Sequence, residues 1–146
     1  MTTAQYPRSP KEEVNGLCHL GRLIDKIRMR NAGKIQDYNY LTVGFDKYLL
    51  DKLEIQGTDL EKRTLEGGSD EDIVNWVKAN GKAFTDEEKA EWNNMVLTFG
   101  PKVEMAQKAF DNNKAALAEK RGVSVEELSH ITTWTNLIDH DEDRMP

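Results

Sequence analysis

Five Ser or Thr residues spread along the chain each stand three positions ahead of an acidic side chain: Ser9–Glu12, Thr58–Glu61, Ser69–Asp72, Thr85–Glu88 and Ser124–Glu127. A hydroxyl so placed accepts from the orphan N–H groups of a first helical turn, and the carboxylate reaches back to the capping residue. Four of the five are full capping boxes. Ser69 has the shorter Asp at the third position, which predicts a weaker return bond. Pro10 follows Ser9 at the first helical position, where its missing N–H costs nothing. Gly33, Gly67, Gly81 and Gly122 fall where helical stretches should stop. A chain punctuated this densely has little room for strands.

The apolar spacing agrees. Leu17, Leu20, Ile24 and Ile27 recur in helical steps, and Ile73, Trp76 and Val77 form another such set. The single alternating stretch, Tyr38 to Phe45, is too short to anchor a sheet. The pattern predicts helices over Pro10 to Asn15, His19 to Ala32, Val43 to Leu53, Asp59 to Glu66, Asp70 to Asn80, Asp86 to Thr98, Lys102 to Arg121 and Val125 to Ile138, with Gly100-Pro101 separating two of them. The expected fold is all-α, one irregular helical bundle of about seven helices. A single domain is expected over 1–146, with a short flexible N-terminus (about 1–8) and an acidic C-terminal tail (about 139–146).

Composition narrows the function classes. The 146 residues carry a net charge of −6, which disfavours nucleic acid as a partner. The one cysteine, Cys18, cannot form an internal disulfide, and residues 1–10 lack the apolar stretch of a secretory signal, so the cytoplasm is the expected location. No apolar run approaches the ~18 residues that span a bilayer, so no membrane partner is expected. Charge is nevertheless uneven: residues 1–34 hold seven Lys and Arg against three Asp and Glu, a local +4. On a helical wheel Arg22, Lys26, Arg30 and His19 lie opposite the apolar arc and should be wet, while Arg28 and Asp25 sit at its edge, three residues apart and able to pair. Gly21 leaves space there for a backbone, a ring or a small ligand.

The stretch Arg8-Ser9-Pro10, then Gly16-Leu17, then Leu20-Gly21-Arg22-Leu23-Ile24-Asp25-Lys26-Ile27-Arg28 resembles the start of a bacterial domain-of-unknown-function family, number 5069. Gly44-Phe45-Asp46, Trp76-Val77 and Trp134 with Leu137-Ile138-Asp139 are similar to its later motifs, in order along nearly the whole chain. The resemblance implies a bacterial or bacteria-like source and a single compact domain, and brings no reaction with it. Arg22, Asp25, Lys26, Arg28 and Asp46 are the polar residues at its motif positions, which makes them candidates for a ligand site.

The remaining chemistry-bearing residues suggest little catalysis. Cys18 and His19 are neighbours whose side chains diverge by about 100° on a helix, so they do not make a dyad. His19, His130 and His140 lack zinc-site spacing, and neither a metal nor a cofactor is expected. The run Asp139 to Asp143 reads as a solvated acidic tail. Asp37, Tyr38, Asn39, Tyr40 and Thr42 form a loop whose phenols either line a pocket or cover helix ends, and Tyr38 joins the site candidates. Trp76, Trp92 and Trp134 are expected in the core, with Met95 and Met105 filling gaps. The favoured function is a non-catalytic binding or accessory module presenting its cationic N-terminal helix to an anionic small molecule or an acidic protein partner. The alternative is a small metal-independent enzyme, with Asp25 or Asp46 as acid/base and Arg22 or Arg28 holding an anionic substrate.

Overall fold

The computed structural model describes residues 6–35, 38–102 and 104–144; Met1 to Gln5, Asp37 and the last two residues of the expected tail lie outside the described residues. The described residues form seven α-helices, one 3-10 turn and a two-strand hairpin, so the fold is mostly α. None of the helices is long and apolar enough to cross a membrane. Contacts divide the chain into two compact units, Met1–Val96 and Leu97–Pro146.

The first unit opens differently from the expectation. Ser9 does not cap a helix over Pro10 to Asn15. Its hydroxyl accepts from the N–H of Lys11 at 3.1 Å and its carbonyl from that of Glu12 at 3.1 Å, closing a turn. A hairpin follows, β1 (Glu13–Val14) against β2 (Leu17–Cys18), with Val14 opposite Leu17. The cause is Asn15-Gly16, both at positive φ (56° and 75°), a pair that favours a tight hairpin turn over a helix. Trp92 and Asn93 close the hairpin from outside. The indole N–H of Trp92 donates to the carbonyl of Cys18 at 2.8 Å, and the Asn93 amide accepts from the Cys18 N–H at 2.7 Å and donates to the Gly16 carbonyl at 2.9 Å.

α1 (Leu20–Asn31) buries Leu20, Leu23, Ile24 and Ile27 as the pattern requires. Its opposite face is not wet. His19, Arg22 and Lys26 are 1%, 3% and 6% exposed, because the segment after the helix and the start of α2 (Gly44–Leu53) supply acceptors for His19 and Lys26, and the Arg8 carbonyl supplies one for Arg22. The space at Gly21 is taken by this chain's own side chains: a Cβ there would stand 2.8 Å from Val14 and 3.1 Å from the Arg8 guanidinium.

α3 (Gly57–Leu65) begins one residue before Thr58 and has no side-chain cap, since Glu61 accepts from the Tyr40 hydroxyl at 2.5 Å instead of reaching back. In α4 (Asp70–Asn80) the Ser69 box is complete: Asp72 returns the bond at 3.0 Å. α5 (Asp86–Thr98) starts with both bonds of the Thr85–Glu88 box.

In the second unit α6 (Glu104–Arg121) follows Gly100-Pro101. The predicted helix over Val125 to Ile138 is broken into a 3-10 turn (Val125–Leu128) and α7 (Trp134–Asp141). Ile131-Thr132-Thr133 is a β-branched run that resists helix, and the Thr133 hydroxyl accepts from the Asn136 N–H at 3.2 Å to start α7 afresh. Phe110, Leu117, Ala118, Leu128, Ile131 and Leu137 form the core, with Trp134 edge-on to Phe110 at 4.9 Å. The acidic run is no solvated tail: Asp139, His140 and Glu142 are buried, and Arg144 bonds Asp139 at 3.4 Å and Glu142 at 2.6 Å. Trp92 is buried as expected, Trp76 and Trp134 are half-buried, and Met105, 83% exposed, fills no gap.

Candidate functional site

Three constellations in the first unit bear on function. The first is enclosed. His19 precedes α1 at φ 72°, a left-handed conformation that His tolerates better than most side chains. Lys26 lies seven residues on, hence on the same helix face, and both reach Asp46 in the first turn of α2. His19 Nε2 is 2.6 Å from Asp46 Oδ1, and Lys26 Nζ is 3.2 and 3.3 Å from the two carboxylate oxygens. The Leu41 N–H donates to Asp46 Oδ2 at 3.0 Å, and Lys26 also donates to the Asn39 carbonyl at 3.0 Å.

Burial works against ionising Asp46, but His19, Lys26 and the Leu41 N–H together hold its carboxyl below the usual range. Burial lowers the His19 value, outweighing the pull of Asp46, and so favours the neutral imidazole. A carboxylate can only accept, so Nε2 carries the proton and Nδ1, buried, is left without a hydrogen-bond partner among the described residues. An imidazole oriented by a carboxylate is the arrangement of a general base. Here His19 and Asp46 are each 1% exposed, so a substrate arriving from solvent meets neither.

The second constellation is an alternating chain of charges. Arg8 grips Asp25 with Nε and NH2 at 2.9 and 3.0 Å, and its backbone N–H adds a third bond at 2.9 Å. Its NH1 donates to Asp70 at 2.8 Å, Arg28 donates to the other oxygen of Asp70 at 2.7 Å, and Arg28 also reaches the Gly68 carbonyl at 3.3 Å. The expected Arg28–Asp25 pair is therefore replaced by two pairs with partners distant in sequence. Arg8 lies within the expected flexible N-terminus, yet it ties that segment to α1 and α4. Burial opposes charge on both Arg8 and Asp70, and the partners prevail, raising Arg8 and lowering Asp70.

Arg22 stands between these groups, donating to the Arg8 carbonyl at 3.2 Å with its guanidinium 5.8 Å from the Tyr38 ring. The structure thus gathers Arg22, Lys26, Tyr38 and Asp46 on one side and Asp25 with Arg28 on another. His19, Arg8 and Asp70 complete the two sets. Helical spacing already placed His19 and Lys26 on one face; Asp70, 42 residues from Arg28, left no such signal. Cys18 is buried, its thiol pushed up to about 11 by burial and by Glu13, far from a thiolate nucleophile.

The third constellation escaped the sequence reading. Lys52, Lys82, Phe84, Glu88, Glu91, Trp92 and Met95 line a cavity of about 140 Å³. Phe84, Trp92 and Met95 supply its apolar lining, and the indole bond to Cys18 fixes Trp92 in place. Glu88 is engaged by the Thr85 N–H at 3.1 Å and by Lys82 at 3.0 Å, whereas Lys52 has no ion pair among the described residues.

The chain matches the family described as Domain of unknown function (DUF5069) over residues 4–144 and belongs to that family. No curated protein matches it.

Proposed function

We propose that this member of the DUF5069 family is a non-catalytic binding module that holds a small anionic molecule with an apolar body in the cavity over Trp92. The observation behind this reading is the cavity itself, where the Lys52 ammonium, which makes no ion pair among the described residues, accompanies an aromatic and thioether lining, while Lys82 is matched by Glu88. A cavity of roughly 150 Å³ holds benzene, so about 140 Å³ accepts one ring or a short branched chain. The cationic helix is a weaker candidate, because Lys26 serves Asp46, Arg22 serves the Arg8 carbonyl and Arg28 serves Asp70. An acidic protein partner would need those charges on the surface. An enzyme using Asp46 would need that carboxyl open to solvent and ready to take a proton, and it is enclosed and held ionised.

Benzoate and benzylamine, one ring with opposite charges, separate the outcomes when titrated against the Trp92 indole N–H resonance. Benzoate should shift that resonance saturably, Lys52→Gln should weaken its binding several-fold, and Glu91→Gln should strengthen it by removing a repelling carboxylate. Benzylamine binding as tightly as benzoate would overturn the proposal, as would a Trp92 resonance indifferent to both.

A further inference from the structure

The second unit brings two of the chain's three histidines together. His140 lies near the end of α7 and is 1% exposed, while His130 follows the 3-10 turn and is exposed. Their Nε2 atoms are 3.3 Å apart. That is within reach of a hydrogen bond from one ring to the other, at the long end of the range. It is also the span between two ligands of one tetrahedral ion: nitrogens each about 2.0–2.1 Å from zinc stand roughly 3.3–3.4 Å from one another. The ring planes cross at 64° and the centroids are 5.3 Å apart, so the ring centres are only 2.0 Å more distant than the nitrogens. Two rings in line would add more. The ring axes are thus bent slightly off the line joining the nitrogens, which leaves room for a third point that both imidazoles can face.

Both backbones are held. The His140 carbonyl accepts from Arg121, and the Arg144 bonds to Asp139 and Glu142 secure the end of α7. Next to His130, Ile131 is buried; its N–H donates to the Leu128 carbonyl at 3.0 Å and its carbonyl accepts from Lys114 at 2.9 Å. The backbones on either side of the pair are therefore fixed, with one ring buried and the other open to solvent.

We propose that His130 and His140 form a two-histidine site for a borderline divalent transition ion, Zn²⁺ or its neighbours Ni²⁺ and Cu²⁺. Imidazole nitrogen selects these ions and not Mg²⁺ or Ca²⁺, which require oxygen donors. Among the described residues no group of three or more His, Cys, Asp or Glu side chains is placed to hold a metal. Two protein ligands hold an ion less tightly than a complete set, so binding is reversible and chelator-sensitive.

The test is a Zn²⁺ titration of the full chain, followed by the side-chain ¹⁵N resonances of the histidines and repeated with Ca²⁺. The expected result is one Zn²⁺ per chain, with the Nε2 signals of His130 and His140 moving together and His19 unmoved. His130→Ala changes an exposed side chain, so it should fold normally and bind Zn²⁺ about tenfold or more weakly. His140→Gln, at the buried position, should behave likewise, and His130→Ala carries the test should it unfold. Zn²⁺ uptake unchanged by His130→Ala overturns the proposal, as does a titration that moves neither Nε2 or one in which Ca²⁺ matches Zn²⁺.

Discussion

Three donors converge on the Asp46 carboxylate, His19 Nε2–H, the Lys26 ammonium and the Leu41 N–H, and an amide in its place keeps one acceptor and loses the charge that matches Lys26. Breaking a buried charge pair by removing one member typically costs about 3–5 kcal/mol, because the other charge stays buried without compensation. Asp46→Asn should therefore destabilise the first unit by about 3 kcal/mol or more in urea unfolding. Adding Lys26→Met removes the stranded charge, and the double variant should be more stable than the sum of the two single losses predicts. Additive losses would show that Lys26 and Asp46 do not act as a pair. Both residues were candidates from sequence, yet nothing in a 20-residue separation says that they touch. The left-handed turn at His19 decides it by directing the ring inward at the mouth of α1.

At the scale of elements, the Ser/Thr-x-x-acid signal located α4 and α5 but misread other segments, each for a local reason. Asn15-Gly16 offers a turn that residues with a Cβ rarely adopt, and this outweighs the Ser9-Pro10 helix start. At Thr58 the backbone already turns helical after Gln56, so the hydroxyl lies within the helix, where it caps nothing. The two cases make opposite predictions. Ser69→Ala should cost about 1 kcal/mol, since it removes the acceptor of the Asp72 N–H and leaves only the returning bond, which the backbone N–H of residue 69 still donates to Asp72. Thr58→Ala should be neutral or slightly stabilising, because Ala is the better helix former. Chemical denaturation of both variants checks this; an equal loss at Thr58 would mean that α3 starts where the sequence pattern put it.

Over the molecule as a whole, the +4 of residues 1–34 within a chain of net −6 looked like a surface made to attract an anion. The fold instead turns much of that charge inward on carboxylates beyond residue 34, Asp46 and Asp70. A charge tally cannot reveal this, because it depends on which distant acids the topology returns to α1.

The same internal pairing sets the response to acid. Stability falls wherever the unfolded chain takes up protons that the folded chain refuses. Burial lowers the folded value of His19, so below the ordinary imidazole value of about 6.5 the unfolded chain is protonated first and stability begins to drop. Asp46 and Asp70, despite desolvation, also sit below their ordinary values, so a second loss begins near pH 4, where the unfolded carboxylates take up protons. Both effects have the same sign: on acidification from about pH 6.5 the first unit weakens in two stages. His19→Gln supplies an amide N–H in place of Nε2–H and cannot titrate. It should remove the first stage and keep the second, with urea midpoints followed at the Trp92 indole resonance at pH 7.5, 5.5 and 3.5. A variant that loses as much stability between pH 7.5 and 5.5 as the parent would show that the acid sensitivity arises elsewhere than at the His19–Asp46 pair.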